Sequence, residues 1–390
     1  MEEWKKVSLR EVTDIIGDGL HGTPLYSSEG EFAFVNGNNL SDGAVEIKAD
    51  TKMCDLSEYE KYKKDLSDRT LFLSINGTIG NTAKYNGEKI ILGKSACYLN
   101  VKKDYNLDFI YYVLRTPAFQ SAISGLATGT TIKNVSLKTI REYEFSVPDY
   151  EVQTRIARIL RAIDDKIELN NRINHNLLNL AQELFNNSIA ENACCSRGWR
   201  SASLLDIAEY LNGLAMQKYP AINGEFSLPV LKIKELGQQA CDANSDRCTE
   251  SIPEQFIVKD GDIIFSWSGT LLVDFWCGGK CGLNQHLFKV SSDMYPNWFV
   301  YFWTKHHLDR FIRIAKDKAV TMGHIKRGDL GKAVVVIPED AVMNKLNGEI
   351  APLISECIER RIENRKLQSL RNSLLPKLMS GELKINDLTC

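Results

Sequence analysis

Residues 147–184 read VPDYEVQTRIARILRAIDDKIELNNRINHNLLNLAQEL, and residues 337–383 read IPEDAVMNKLNGEIAPLISECIERRIENRKLQSLRNSLLPKLMSGEL. Each segment starts with a short apolar stretch that ends in a proline, Pro148 or Pro338, and continues as a helical pattern. Seam residues recur every seven positions over more than four heptads, with a second set four residues later, and most of them are apolar. This pattern predicts two long coiled-coil helices.

The two heptad seams match at an offset of 190 residues, which relates Pro148 to Pro338 and Asn174 to Asn364. A buried asparagine lowers the stability of a coiled coil but fixes its register and its partner. The matched pair therefore favours packing of the two helices on each other, with Asn174 and Asn364 as register-setting residues. The alternative is that each helix packs on its own domain with its asparagine in solvent, because periodicity does not identify the contacting partner.

The repeat extends through the segments that precede the helices, at offsets between 189 and 196 residues. The matching pairs are Trp4 with Trp199, FVNGNNL (34–40) with VLKIKEL (230–236), TLFLSINGTIG (70–80) with DIIFSWSGTLL (262–272), ILGKSACYLNV (91–101) with CGLNQHLFKV (281–290), and TGTTIKNVSLKTI (128–140) with KAVTMGHIKRGDL (318–330). A period of this length indicates duplication of a domain.

These patterns predict an α+β fold with two similar mixed α/β domains and two long helices packed as an antiparallel coiled coil. The expected segments are a first domain at 1–148, a linker helix at 149–196, a second domain at 197–338 and a second linker helix at 339–390. A helix of about 36 residues spans roughly 54 Å. We therefore expect a rigid spacer with one domain at either end and a pseudo-twofold internal repeat.

Composition indicates an ordinary globular protein of two to three domains, with 390 residues, 44% hydrophobic and 25% charged residues. No apolar run is long enough for a membrane span, and the start MEEWKKVSLRE lacks a signal-peptide core, so we expect a cytoplasmic protein without a membrane partner. The net charge of −2 gives no global nucleic-acid signature, so any basic surface must be local.

Catalytic and metal motifs are weak. Ten cysteines are scattered along the chain, and we interpret them as reduced packing residues. A zinc site is the alternative for four of them, although their spacing fits no common zinc pattern: Cys241, Cys248, Cys277 and Cys281. Dinucleotide-binding, Walker and Gly-x-Ser-x-Gly motifs are missing, so we expect no catalytic residues, no metal and no cofactor on this chain.

Polar and basic residues of the corresponding loops are the candidate contacts to DNA, because such side chains read base edges or anchor phosphates. The candidates are His21, Thr23, Lys94, Thr130, Lys133, Asn134 and Ser136 in the first domain, and Asn284, Gln285, His286, His324, Lys326 and Arg327 in the second. Aligning the repeats places residues 284–286 opposite residues 94–96. Solvated turns have the same composition and are the alternative, and a basic cluster at residues 59–64 is more typical of a solvated helix face.

The whole chain resembles the specificity subunit of type I restriction–modification enzymes. The segments FSVPDYEVQTRIARILRAIDDKIELNNRIN (145–174) and SLLPKLMSGELKI (373–385) are similar to the linker-helix and C-terminal signatures of that family. The loops NGTIGN (76–81) and GTTIKNVSL (129–137) resemble its target recognition domains. One departure is Val152, where the family more often has an acidic residue.

The resemblance implies that each domain is a target recognition domain, which reads one half of a bipartite, asymmetric double-stranded DNA site through the major groove. The helices would be the central and C-terminal conserved regions, which fix the unread spacer and recruit two modification (methyltransferase) subunits and two restriction (translocase/endonuclease) subunits. S-adenosylmethionine, ATP and Mg²⁺ would be bound by those partners. The competing interpretation is a two-headed coiled-coil protein–protein scaffold without DNA binding, against which the paired basic loops at Lys133 and Lys326 argue.

Overall fold

A computed structural model gives the structure of residues 4–41, 43–127, 134–190, 198–317 and 323–384. Its contacts divide the chain into two compact units, unit 1 with residues 1–165 and 369–390, and unit 2 with residues 166–368. Each unit contains one mixed α/β domain together with parts of both long helices. We call the domain of residues 5–147 head 1 and the domain of residues 200–337 head 2.

Head 1 contains eleven strands and five helices within its described residues. The strands are β1 (Lys5–Ser8), β2 (Thr13–Asp18), β3 (Phe32–Val35), β4 (Leu40–Ser41), β5 (Ala44–Val45), β6 (Met53–Cys54), β7 (Thr70–Ser74), β8 (Thr82–Lys84), β9 (Ile90–Leu92), β10 (Ala96–Val101) and β11 (Glu144–Val147). The helices are α1 (Leu9–Val12), α2 (Leu56–Tyr62), α3 (Leu107–Arg115), α4 (Pro117–Gly125) and α5 (Leu137–Arg141), followed by the long helix α6 (Tyr150–Phe185).

Head 2 contains ten strands and five helices in the part that the structure describes. The strands are β12 (Arg200–Ser203), β13 (Glu209–Asn212), β14 (Ser227–Leu231), β15 (Arg247–Thr249), β16 (Ile257–Val258), β17 (Ile263–Ser266), β18 (Val273–Phe275), β19 (Cys281–Leu283), β20 (Leu287–Ser291) and β21 (Val334–Ile337). The helices are α7 (Leu204–Ile207), α8 (Ile233–Gln238), α9 (Asn297–His306), α10 (Leu308–Asp317) and α11 (Arg327–Gly331), followed by the long helix α12 (Asp340–Met379).

The central sheets of the two heads have the same topology. The central antiparallel sheet has the order β2-β10-β7-β8 in head 1 and β13-β20-β17-β18 in head 2. The first and last strands of each head pair antiparallel, as β1 with β11 and β12 with β21. A smaller sheet contains one parallel pair, β3 with β9 or β14 with β19. The predicted fold class, two similar mixed α/β domains with two long helices, is confirmed.

The long helices complete the cores of both heads. In unit 1 the core includes Leu160 from the first part of α6 and Leu375 and Leu378 from the last part of α12. In unit 2 it includes Ile350 from the first part of α12 and Phe185 from the last part of α6. Each head therefore buries apolar residues from its own linker helix and from the helix of the other repeat.

The helix seam has a polar layer in unit 2, where α6 and α12 run antiparallel. Lys166 Nζ of α6 lies 3.3 Å from Glu363 Oε2 of α12. One turn later in α6, Asn170 donates to Asn364 Oδ1 at 2.8 Å and accepts from Arg360 Nη1 at 3.0 Å. Asn364 also donates to Asn171 Oδ1 at 2.8 Å. The helices therefore pack on each other, and the partners of Asn364 lie on the turn of α6 that precedes Asn174.

Asn174 makes a different contribution to the seam. Its side chain is buried with 5% exposure, and its Oδ1 atom has no hydrogen-bond partner within the described residues. A buried acceptor without a partner costs free energy, typically about 1–3 kcal/mol.

Among the helices in the described ranges, none has a stretch apolar and long enough to cross a lipid bilayer.

Candidate nucleic-acid interface

Four loop segments of head 1 meet at one end of its central sheet. The backbone N–H of Leu20, after β2, donates to Leu92 O at 2.7 Å, where β9 ends. The N–H of Ile75, after β7, donates to Ser95 O at 2.9 Å, and the N–H of Val135 donates to Ile75 O at 2.9 Å. These bonds join residues 19–24, 93–95, 75–81 and 134–136 into one edge, which we call edge 1.

Head 2 forms the same edge with the same backbone bonds. The N–H of Leu214 donates to Leu283 O at 2.9 Å, the N–H of Trp267 donates to His286 O at 3.4 Å, and the N–H of Ile325 donates to Trp267 O at 3.1 Å. These bonds join residues 212–214, 267–269, 284–286 and 323–326, which we call edge 2. The predicted contact loops of each head are therefore brought together.

Strand register corrects the alignment of the two edges by one residue. Ala96 and Leu287 each pair with the serine that ends the preceding sheet strand, so they are equivalent. Residues 93–95 therefore correspond to residues 284–286, and the sequence alignment with residues 94–96 is wrong by one position. Sequence matching alone could not show this register, because it is set by the pairing of β10 with β7 and of β20 with β17.

Edge 1 presents a mixed polar surface. His21 is exposed, and its Nε2 atom lies 2.5 Å from Asp18 Oδ2, at the end of β2. Lys94 is exposed at the tip of the loop between β9 and β10. Ser95 Oγ donates to Asn36 Oδ1 at 2.9 Å and is held within the head. His21 and Lys94 are thus the side chains of this group that remain open to a ligand.

The remaining predicted contacts of head 1 have different roles. Asn134 is exposed and forms an isolated antiparallel bridge with Asn76, so it lies on edge 1. Ser136 caps α5 by accepting the backbone N–H of Thr139 at 3.1 Å, which explains a serine at this position by helix capping. Thr23 is exposed in the loop after β2. Two predicted contacts lie outside the described residues: Thr130 and Lys133.

Edge 2 contains a chain of hydrogen bonds centred on His286. Its Nδ1 atom lies 3.1 Å from Ser268 Oγ, and its Nε2 atom lies 3.4 Å from Gln285 Nε2. Its backbone N–H donates to Asn284 Oδ1 at 3.3 Å. Asn284 is buried, with 4% exposure, whereas Gln285 and His286 are partly exposed. Asn284 therefore shapes the loop, and Gln285 and His286 form its accessible surface.

Trp267 lies at the centre of edge 2 and was not predicted as a site residue. Its indole Nε1 donates to Asn212 Oδ1 at 2.9 Å. Its ring centroid lies 5.9 Å from that of His286, 5.8 Å from that of Phe288 and 6.4 Å from that of His324. The signal that could have identified it is the aligned turn, which reads SWSGT in head 2 and SINGT in head 1.

A buried aromatic layer supports edge 2 from below. The ring of Tyr210 lies edge-on to Phe288 at 6.0 Å and to Phe265 at 6.4 Å. Its hydroxyl shares a hydrogen bond of 2.7 Å with Thr304 Oγ1, and burial raises the pKa of this phenol. Because fully buried rings in this arrangement have little freedom, the layer holds the loops above it in place.

The two basic residues that follow His324 differ in their partners. Lys326 is exposed just before α11. Arg327 donates from Nη1 to the backbone carbonyl of Tyr210 at 3.3 Å. In head 1, Arg141 makes the equivalent bond to the carbonyl of Ile16 at 2.6 Å. The bond of Arg327 thus stabilises the fold in the way that Arg141 does, and Lys326 is the more available of the pair.

The basic cluster of α2 is largely neutralised within its own helix. Lys61 Nζ lies 2.6 Å from Glu58 Oε1, and Lys63 Nζ lies 2.5 Å from Glu60 Oε2. The hydrogen bond with Glu58 raises the pKa of Lys61, which stays protonated. These pairs are typical of a solvated helix face.

The four cysteines considered for a zinc site lie in head 2. Cys241 and Cys281 share a hydrogen bond, which lowers the pKa of the Cys241 thiol, while burial raises the pKa of Cys281. Cys248 and Cys277 are buried. Within the described ranges, no group of three or more His, Cys, Asp or Glu side chains is arranged to hold a metal ion.

Comparisons with known proteins show which proteins the chain is similar to. Residues 1–179 match the family model described as "Type I restriction modification DNA specificity domain". Over 304 residues the chain is 24% identical to the type I restriction enzyme MjaIX specificity subunit of Methanocaldococcus jannaschii, covering 72% of this chain and 70% of that protein. The chain is similar to a type I specificity subunit over most of its length.

Two further comparisons extend over most of the chain. It is 18% identical to the type I restriction enzyme HindI specificity subunit of Haemophilus influenzae, covering 71% of this chain and 77% of that protein. The crystal structure of the type I restriction–modification system S subunit from M. genitalium has a similar fold, with a TM-score of 0.59 and 17% identity, covering 97% of this chain and 96% of that one. At this identity the likeness concerns the fold alone.

Proposed function

We propose that this chain is the non-catalytic specificity subunit of a type I restriction–modification complex. It reads a bipartite, asymmetric double-stranded DNA sequence, with edge 1 contacting one half-site and edge 2 the other. The observation that carries the proposal is the equivalence of the two edges. Equivalent backbone bonds join the same loops in both heads, whereas the side chains on those loops differ. A shared scaffold with different polar side chains suits two reading sites of different sequence preference.

Under this proposal, the predicted contact residues fall into three groups according to the chemistry of their side chains. His21, Lys94 and Asn134 of edge 1, and Gln285, His286 and His324 of edge 2, present groups that can bond base edges. Thr23 and Lys326 suit phosphate contacts. Three other predicted contacts within the described residues contribute indirectly, through the shape of the loops: Ser136, Asn284 and Arg327.

We also propose that the chain binds modification and restriction subunits. The repeat gives the subunit equivalent helix surfaces in its two units, which suits the recruitment of two identical modification subunits, and two restriction subunits would join them. S-adenosylmethionine, ATP and Mg²⁺ would bind to those partners, which carry out methylation, translocation and cleavage.

Modified-base sequencing tests the proposal directly. DNA is isolated from cells that express the neighbouring modification subunit alone, or together with this specificity subunit, and methylated adenines are mapped by long-read sequencing. We expect a bipartite motif with two unequal halves that appears only when the specificity subunit is present.

The control is assembly of the complex, measured by co-purification of the two subunits from the same cells. A complex that assembles but yields no motif would overturn the DNA-reading role and favour the scaffold interpretation. A motif with a single continuous block would overturn the assignment of one half-site to each edge.

A further inference from the structure

One loop position is equivalent in the two edges and carries a different base-reading side chain in each. The register that relates residues 93–95 to residues 284–286 places Lys94 opposite Gln285. Both side chains lie at the middle of a three-residue loop between two strands of the same topology, and both are accessible. Lysine donates to the O6 and N7 acceptors of guanine, whereas glutamine forms a bidentate pair with N6 and N7 of adenine.

The contact between Gln285 and His286 orients the amide of Gln285. The Nε2 atom of Gln285 lies 3.4 Å from the Nε2 atom of His286. Because an amide nitrogen can only donate, His286 Nε2 is the acceptor, and the imidazole proton lies on Nδ1, which faces Ser268 Oγ at 3.1 Å. Gln285 then has one remaining N–H donor and its carbonyl acceptor available for a ligand, which is the pattern that adenine pairs with.

Trp267 holds His286 in this position. Its indole ring lies against the imidazole with ring centroids 5.9 Å apart, and its Nε1 donor is fixed by Asn212 Oδ1 at 2.9 Å. The equivalent residue in head 1 is Ile75, which keeps the backbone bonds of the edge but has no side-chain donor or ring. Edge 2 therefore contains a chain from Asn212 through Trp267 and His286 to Gln285 that edge 1 lacks.

We propose that the position shared by Lys94 and Gln285 is the base-discriminating position of the two heads, with Gln285 reading an adenine and Lys94 reading a guanine. His286 and Trp267 are positioning residues for Gln285. The inference rests on the proposed DNA-reading function and adds to it the residue and the base. A freely rotating lysine needs no such support, because its ammonium group donates in any orientation.

The test is modified-base sequencing with the full complex of modification and specificity subunits. Gln285→Ala should reduce the preference for adenine at one position of one half-site by roughly tenfold to a hundredfold. Gln285→Lys should replace that adenine by guanine. Lys94→Gln should replace a guanine by adenine in the other half-site. Each variant leaves the opposite half-site as an internal control for folding and assembly.

Two further variants separate positioning from a merely structural role. Trp267→Ile, which introduces the residue of head 1, should relax the same adenine position as Gln285→Ala does. Trp267→Phe keeps a ring against His286 and should retain the adenine. Lys280→Gln is the matched control, because Lys280 is an exposed lysine before β19, at the end of that strand opposite Asn284.

The outcomes distinguish this inference from the proposed function. A wild-type complex without a bipartite motif would overturn the proposed function itself. A wild-type motif that is unchanged in both halves by Gln285→Lys and Lys94→Gln would overturn the inference and leave the proposed function in place. A motif altered by Lys280→Gln would show that lysine changes anywhere on the head affect recognition, and would also overturn the inference.

Discussion

Edge 1 and edge 2 have the same backbone and different side chains. Ile75 and Trp267 occupy the same place and make the same two backbone bonds, yet the first is a buried aliphatic residue and the second a partly exposed indole. Asp18 and Asn212 end equivalent strands, where Asp18 holds His21 and Asn212 holds Trp267. The two edges thus share a scaffold and differ in their side chains, which suits the proposed reading of two half-sites of different sequence.

The junctions between head and helix differ in the same way. In unit 1, Asp164 of α6 accepts from Tyr112 Oη at 2.8 Å and from Arg371 Nη1 at 2.7 Å. At the equivalent positions of unit 2, 190 residues later, stand Phe302 and Ile354, both buried in its core. At this pair of positions the joint is therefore polar in unit 1 and apolar in unit 2.

The largest expected effect tests whether the two heads depend equally on the helix of the other repeat. Phe185 and Leu375 occupy equivalent positions and are buried in the cores of unit 2 and unit 1. We expect Phe185→Ala to destabilise unit 2 by about 3–5 kcal/mol and Leu375→Ala to destabilise unit 1 by about 2–5 kcal/mol, because each leaves a cavity. Differential scanning calorimetry of the full chain should show one transition lowered in each variant.

The chain offers a matched control pair for this prediction. Leu180 and Leu370 are also equivalent and are exposed at 47% and 46%. Their replacement by alanine should change the unfolding free energy by less than about 0.5 kcal/mol. Equal losses from the buried and exposed pairs would contradict the completion of each head by both helices.

The second prediction concerns the polar joint of unit 1. Asp164→Ala removes the acceptor of Tyr112 and Arg371, and we expect a loss of about 2 kcal/mol, since the carboxylate is mostly buried. Asp165→Ala is the control, because Asp165 is exposed and pairs only along the helix with Arg161, for an expected loss of about 0.5 kcal/mol or less. Urea denaturation measures both, and no difference between the two variants would remove the contrast between the junctions.

The third prediction separates the two asparagines of the helix seam. Asn364→Leu breaks the bonds to Asn170 and Asn171 and should cost about 1–2 kcal/mol. Asn174→Leu removes a buried acceptor that lacks a partner and should stabilise the helix pair by about 1 kcal/mol. Chemical denaturation gives both values. A lower unfolding free energy in Asn174→Leu, or an unchanged one in Asn364→Leu, would contradict the different roles given to the two asparagines.

The smallest effect is expected from Lys326. At the equivalent place head 1 has the capping residue Ser136, so a phosphate contact here would belong to edge 2 alone. Lys326→Ala should weaken DNA binding by the complex severalfold, reduce the salt dependence by about one phosphate contact and leave the motif unchanged. Fluorescence anisotropy against salt concentration measures this, and a changed motif would instead make Lys326 a base-reading residue.

Much of the fold could be predicted because it depends on patterns that recur. The heptads of residues 147–184 predicted α6, and the offset of 190 predicted a second helix that packs on the first. The segments TLFLSINGTIG and DIIFSWSGTLL predicted equivalent strands and turns, which are β7 and β17 with their following loops. Local chemistry and repetition were sufficient for these elements.

The details of the candidate site depend on contacts between distant segments and could not be predicted. The bond between Trp267 and Asn212 joins residues 55 positions apart, and nothing in either segment alone specifies it. The partner of Asn364 is Asn170, since the antiparallel register sets which turns of the helices meet. The pairing of β10 with β7 and of β20 with β17 shifts one alignment by a residue and alters which side chains are equivalent.

The most direct test of the equivalence of the two edges is site-specific photo-crosslinking to DNA. A benzophenone side chain is introduced at Lys94, at Gln285 or at the control position Lys280, and the complex is irradiated on a duplex that contains the full motif. We expect crosslinks from position 94 in one half-site only, crosslinks from position 285 in the other half-site only, and none from position 280. Crosslinks from positions 94 and 285 to the same half-site, or crosslinks from position 280 alone, would contradict the account.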